Sequence, residues 1–125
     1  MTQSARQNRG RVAFHAGRAA EQSVARAYIR RGCVLVAERW RGPGGEIDLI
    51  LRDGDEMIFV EVKHARDFDR AAQSLSARQM HRLMQAAEGF LASEPRGSLT
   101  PARFDVALVN GQGELRILEN AFGQG

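Results

Sequence analysis

The chain has 125 residues and a mass of 13.8 kDa, a length that suits one domain. Its 43% hydrophobic and 26% charged residues exclude a collagen-like, mucin-like or wholly disordered polymer, and no apolar run nears the roughly 20 residues that cross a bilayer. The formal charge of +3 hides an asymmetry: up to Gly45 nine arginines face only Glu21 and Glu38, whereas from Glu46 onward nine basic residues face thirteen acidic ones. A basic front half suits phosphate neutralisation, although an arginine-rich segment that only keeps the protein soluble would carry the same charge.

Residues 1–12 are expected to form a flexible basic arm, 13–122 a single domain and 123–125 a tail. The first ten residues are polar and basic with no apolar segment behind them, so no secretory signal is expected. Cys33, the only cysteine, cannot form an internal disulfide or a thiolate zinc cluster, and a cytoplasmic location is the simplest expectation. Phe14 to Arg31 predicts a helix with Ala20, Val24, Ala27 and Tyr28 along one face and Gly32 as its C-cap. Cys33 to Trp40 reads as a strand that stops at the breaker Gly42-Pro43-Gly44-Gly45. Glu46 to Arg52 and Met57 to Lys63 alternate as two strands around a hairpin turn at Asp53-Gly54-Asp55-Glu56. His64 to Leu75 reads as loop, with Ser74 and Ser76 offering N-caps. A helix follows from about Ala77 to Ala92, whose stripe of Met80, Leu83, Met84, Ala87, Phe90 and Leu91 belongs to the core. Arg103 to Asn110 and Glu114 to Leu118 complete the order α-β-β-β-α-β-β, a layered α/β or α+β domain.

In a strand, residues two apart share a face. Glu61 and Lys63 are therefore expected beside Met57 and Phe59, with Ile58, Val60 and Val62 on the opposite, core side. On the preceding strand Glu46, Asp48 and Ile50 share one face, and Ile47, Leu49 and Leu51 the other. A two-residue loop pairing Asp53 with Glu56 and a four-residue loop pairing Arg52 with Met57 give one register, which sets Asp48 opposite Glu61 and Glu46 opposite Lys63. Opposed carboxylates repel, and a cation between them reverses the sign of that interaction. Magnesium prefers such hard oxygen ligands and commonly uses one or two carboxylates. A hydrated surface hairpin would account for the same residues with no ion. Lys63 is the only lysine among 18 basic residues. Its compact ammonium, unlike a guanidinium, can lose its proton when buried, and on this face it could activate water or offset charge on phosphorus.

Gly45-Glu46-Ile47-Asp48-Leu49-Ile50 followed by Phe59-Val60-Glu61-Val62-Lys63 resembles the split signature of the PD-(D/E)XK nuclease superfamily. The closer likeness is to the YraN-like family of small bacterial proteins, related to archaeal Holliday junction resolvases. It extends from Gly17–Gly32 through Arg103-Phe104-Asp105-Val106 to Asn120-Ala121-Phe122. The resemblance implies a restriction endonuclease-like α/β fold, an αβββαβ core with a central mixed sheet flanked by helices. It further implies that Asp48, Glu61 and the Val62 carbonyl bind Mg2+ or Mn2+, that Lys63 assists the attacking water and that Glu21 on the first helix completes the catalytic set. Two positions depart from the family pattern. His64 replaces a small hydroxyl residue, and parity turns it to the strand's other face; Gln79 stands where a basic residue is common, so Arg78 or Arg82 would take over the phosphate contact. Arg18, Arg41 and Arg66 are further expected nucleic-acid contacts.

Three functions stay open on the sequence. The first is a metal-dependent endonuclease that hydrolyses phosphodiester bonds in DNA, with branched or structured DNA as the expected substrate. The second is a non-catalytic nucleic-acid-binding module of the same fold. The third is a protein-interaction domain using apolar exposure around Trp40, Met57 and Phe59. No membrane partner is expected, and a homodimer is compatible with a domain whose footprint on two-armed DNA is small.

Overall fold

A computed structural model describes residues 17–122; the expected basic arm and tail lie outside them. Helix α1 covers residues 17–30. Its last turn closes with the Gly32 amide on the Ile29 carbonyl and the Cys33 amide on the Tyr28 carbonyl, at 2.9 and 3.1 Å. Gly32 sits at φ +96°, the left-handed conformation that ends a helix in this way. Three strands follow: β1 (Val34–Gly42), β2 (Gly45–Asp53) and β3 (Glu56–His64). The chain then crosses one face of the sheet through α2 (Phe68–Gln73) and α3 (Ala77–Leu91), turns in a 3-10 segment (Gly97–Leu99), and returns as β4 (Ala102–Val109) and β5 (Leu115–Leu118).

The sheet order is β1-β2-β3-β4-β5. Among the described residues only the β3–β4 pair is parallel, as a helical crossover requires. The result is a mixed five-stranded α/β sheet whose element order contains the αβββαβ core, with α2 and β5 added. Among the described residues no helix is long and apolar enough to cross a membrane.

Several expectations are corrected. The stretch read as loop contains α2, because Asp67 caps it by accepting the Arg70 amide at 2.8 Å. Ser76 does cap α3, in a reciprocal box with Gln79, but Ser74 ends α2, its hydroxyl donating to the Ala71 carbonyl. The face of β2 and β3 that carries charge is not a solvent face. Ile50, Met57 and Phe59 on it are fully buried against Leu83, Ala86, Ala87 and Phe90 of α3. Leu49, Leu51, Ile58 and Val60 are equally buried on the other side, against Ala20, Val24, Ala25 and Tyr28 of α1. With both helices in place, Met57 and Phe59 offer no apolar surface to a partner protein.

The hairpin register is as expected from Asp53↔Glu56, through a two-residue turn, to Leu49↔Val60. There the ladder ends, so Asp48 with Glu61 and Glu46 with Lys63 are not paired. Ile47 also leaves its expected face and joins Ile50 under α3. The irregularity is shared by β1. Pairing with β2 runs Glu38↔Leu49 and then Trp40↔Ile47, and the intervening Arg39 has a φ of +49°. That conformation is costly for a side chain with a Cβ and is tolerated where surroundings over-determine it.

Helix α1 is fastened to the sheet by a buried polar group. The Tyr28 hydroxyl donates to Asp105 Oδ2 at 2.6 Å, and Asp105 also accepts from Arg103 Nε at 3.1 Å and from the Asn120 amide at 2.9 Å. Asp105 is fully buried, so each of these donors replaces water that a carboxylate would otherwise need. Tyr28→Phe is expected to lower unfolding stability by about 1.5–3 kcal/mol, the usual contribution of a hydrogen bond to a charged group. Urea unfolding checks this, and an unchanged midpoint would show that the bond is not what holds α1.

Candidate functional site

The break in the β2–β3 ladder is filled by a side chain. Asp48 Oδ2 accepts the Val62 amide at 2.7 Å, so a carboxylate takes a hydrogen bond that a regular ladder would give to a backbone carbonyl. In an extended strand a residue's N–H and C=O point to one side. The Val62 carbonyl therefore lies on the same edge of β3 as the amide that holds Asp48. Glu61 and Lys63 flank Val62 and share the opposite parity. Lys63 Nζ stands 3.4 Å from Glu61 Oε1, with both side chains largely buried.

Two further acids converge from neighbouring elements. Glu21, on α1, accepts from Arg39 Nε at 3.1 Å, and Glu46 lies 3.7 Å from the exposed guanidinium of Arg41. The charges of Glu21 and Glu46 reach both Asp48 and Glu61. Burial first, and then the Glu61 charge, push the Asp48 carboxyl up to about 7 against the opposing Val62 N–H. Glu61 is also raised, again chiefly by burial, while the Lys63 ammonium pulls it down. Two largely buried carboxylates, with two more acids within electrostatic reach, favour the approach of positive charge.

The donor set consists of oxygens. Among the described residues no three His, Cys, Asp or Glu side chains close on a single point. A cation held here would have two carboxylates and a carbonyl from the chain and would take its remaining positions from water or phosphate oxygens, a mode that Mg2+ and Mn2+ accept.

The structure thus brings Glu21, Asp48, Glu61, Val62 and Lys63 to one end of the sheet. The expected basic contacts frame that end. A Cβ added at Gly45, at the start of β2, would stand 3.9 Å from the Arg82 Cβ, and Arg78 is one turn earlier on α3. The β1–β2 turn lies so close to α3 that a Cβ on Gly44 would stand 2.5 Å from the Ala86 amide nitrogen, which locks the helix beside the motif. Arg66 follows β3, Arg41 lies near the end of β1 and Arg18 in the first turn of the described α1; all five arginines are exposed. Among the described residues Arg66, Arg78 and Arg82 make no side-chain hydrogen bond or ion pair. Sequence reasoning missed Arg39, the partner of Glu21. Its position gives no periodic signal, since it acts through a left-handed backbone turn that only the folded strand shows.

Because the folded-state value of Asp48 lies above that of a free carboxyl, the unfolded chain gives up this proton first. The stability Asp48 contributes is complete below about pH 4 and is lost as the pH rises through about 7. Asp48→Asn keeps an oxygen for the Val62 amide. Without divalent cations it is expected to melt about 5 °C or more above the parent at pH 8, and to lose that advantage near pH 4. Equal melting points at pH 8 would contradict the buried, repelling carboxylate.

The family model described as Uncharacterised protein family UPF0102 matches residues 20–109. A UPF0102 protein of Ruegeria pomeroyi is 65% identical over 118 residues, covering 94% of this chain and 96% of the relative. One from Ruegeria sp. strain TM1040 is 56% identical over 125 residues, the full length of both. A third, from Cereibacter sphaeroides strain KD131, is 57% identical over 113 residues, 90% of this chain and 97% of the relative. The chain belongs to the UPF0102 family, the YraN-like proteins that its motifs resemble.

Proposed function

We propose that the protein is a metal-dependent endonuclease that hydrolyses phosphodiester bonds in DNA. The observation that carries this reading is the pair of largely buried carboxylates, Asp48 and Glu61, with the charge of Glu61 disfavouring that of Asp48 and Lys63 alongside. Such an arrangement weighs against the fold unless positive charge enters it. Asp48, Glu61 and the Val62 carbonyl would hold magnesium or manganese. Bound there, the ion would supply Lewis-acid charge to the phosphoryl oxygens and make water a better nucleophile at neutral pH.

The chain's own groups do the rest. Lys63, anchored by Glu61, presents an ammonium to charge developing on phosphorus. Glu21 adds a carboxylate from α1, and Arg39 fixes its direction. Arg18, Arg41, Arg66, Arg78 and Arg82 border the acids and would bind backbone phosphates, which position the strand without reading its sequence. The repulsion that Asp48 and Glu61 would exert on a phosphodiester is thereby confined to the point where a cation enters.

A second reading, a nucleic-acid-binding module without cleavage, is favoured by one observation. Arg39 already neutralises Glu21, and a carboxylate engaged in this way is less able to complete a catalytic set. The two readings diverge on metal. Calorimetry with Mn2+ is expected to show one site in the parent and none in Asp48→Ala, and the parent with Mg2+ or Mn2+ to cut flapped or branched DNA. Binding without cleavage, unchanged in Asp48→Ala, would favour the module; no heat with Mn2+ and no cleavage would overturn the endonuclease.

The arginine frame has its own test. Arg78→Ala with Arg82→Ala should weaken binding to all DNA sequences alike. It should also flatten the plot of log affinity against log salt by about 1.8, since each phosphate neutralised on duplex DNA accounts for about 0.9 of the slope. An unchanged slope would remove α3 from the interface.

A further inference from the structure

We propose that a cleft beside the carboxylates receives one unpaired nucleobase, so that the preferred substrate carries a single-stranded nucleotide next to the phosphate at the metal seat. This rests on the endonuclease reading above and specifies its substrate. The cleft has a volume of about 200 Å³. Its walls are one turn of α1 with Ala19, Ala20 and Ser23, His64 at the end of β3, Val109 at the end of β4 and Gly111 in the following turn. Drug-sized ligands occupy about 300–1,000 Å³, so the space suits a single ring system.

The chemistry of the lining selects the occupant. In a region dense with carboxylates and arginines, no Asp, Glu, Lys or Arg among the described residues lines this cleft. Among these lining residues a phosphate would find no guanidinium and a cation no carboxylate, and Arg26, which does not line the cleft, reaches only the Ser23 hydroxyl. What it offers is an apolar floor of Ala19, Ala20 and Val109, an imidazole and a hydroxyl. The Ser23 oxygen accepts from Arg26 at 3.2 Å, which directs its own proton elsewhere. His64 is exposed and has no hydrogen-bond or ion-pair partner among the described residues. A flat, neutral ring with a hydrogen-bonding edge matches all of this, and unstacked bases are recognised in this manner.

The cleft is also built to stay open and is correctly placed. The Asn110 side chain donates to Glu114 at 2.8 Å and accepts the Gln112 and Glu114 amides at 3.0 and 2.9 Å. The Gly111 amide donates to the Arg66 carbonyl at 3.0 Å. These bonds fix the wall opposite α1. Ala20 immediately precedes Glu21 and His64 immediately follows Lys63, so the cleft adjoins the proposed seat on two elements. Parity sends Lys63 and His64 to opposite faces of β3, which lets one strand place its phosphate on the first side and its base on the second. A base inside an intact duplex is stacked and cannot enter.

The test is fluorescence anisotropy without divalent cations, using a blunt duplex, the same duplex with a short unpaired tail, and that tail with abasic nucleotides. The parent is expected to bind the tailed duplex about tenfold more tightly than the blunt one, as one stacked base allows, and the abasic tail no better than blunt. Ala19→Leu with Ser23→Leu fills the cleft and should bind blunt duplex like the parent while losing the tail preference. His64→Ala, an exposed change that leaves the fold intact, should reduce that preference by itself. A preference kept by the abasic tail, or surviving in both variants, overturns the base cleft and leaves the endonuclease reading standing. Absence of binding to every DNA also overturns the base cleft, while the endonuclease reading is decided separately by Mn2+ calorimetry and cleavage.

Discussion

One hydrogen bond organises this molecule: the Val62 amide held by the Asp48 carboxylate. A regular antiparallel ladder would leave Asp48 and Glu61 as two side chains on a continuous sheet. Here β2 leaves β3 after Leu49↔Val60, and a side-chain oxygen takes the place of a main-chain one. The exchange keeps a strong donor satisfied. It also holds a negative charge at the mouth of the gap, where burial and the neighbouring acids disfavour it. The sheet's structural break and its electrostatic demand are the same feature.

The remaining architecture keeps that demand high. Helices cover both faces of the central strands, so the acids stand at the end of a dry core and water cannot fully screen them. On the α3 side an aromatic series runs from Trp40 to Phe90, Phe59, Phe104 and Phe122 with centroid separations of 5.5 to 5.9 Å. It ties β1 and the C-terminal segment to the helix. On the α1 side the Tyr28–Asp105 bond fixes the helix that carries Glu21. Arg39 links the two systems. Its left-handed backbone lies across from Asp48, and its guanidinium reaches Glu21.

Much of this is legible in the chain because local rules dominate there. Gly32, the Gly54-Asp55 turn and the Ser76 cap are each specified within a few residues, and the structure places them as read. The register of the hairpin follows from its turn and holds for five pairs. Alternation also reveals which residues share a face, but it cannot reveal that a second helix buries the charged side. Met57 and Phe59 look available for that reason.

The site is legible as composition more than as geometry. Asp48, Glu61 and Lys63 stand out in the sequence as two acids and a lone lysine on adjoining strands. Their expected cross-strand pairing is not what unites them. The departure of Ile47 to the α3 face and the positive φ of Arg39 are tertiary compromises, made where β1, β2 and α3 must all fit around Gly44. No periodicity encodes them. The Arg39–Glu21 pair is invisible in the sequence for the same reason, since it joins residues 18 positions apart through two elements whose packing is set elsewhere.

The most direct trial of a cation seat at this break is paramagnetic broadening of amide signals in the 15N-labelled protein. Added in small amounts, Mn2+ should first erase the signals of Asp48, Glu61, Val62 and Lys63, sparing β5 and the hairpin turn at Gly54, and Asp48→Asn should abolish the effect. Broadening that begins at other acids, or is unchanged by that substitution, would show that the gap between β2 and β3 does not hold the ion.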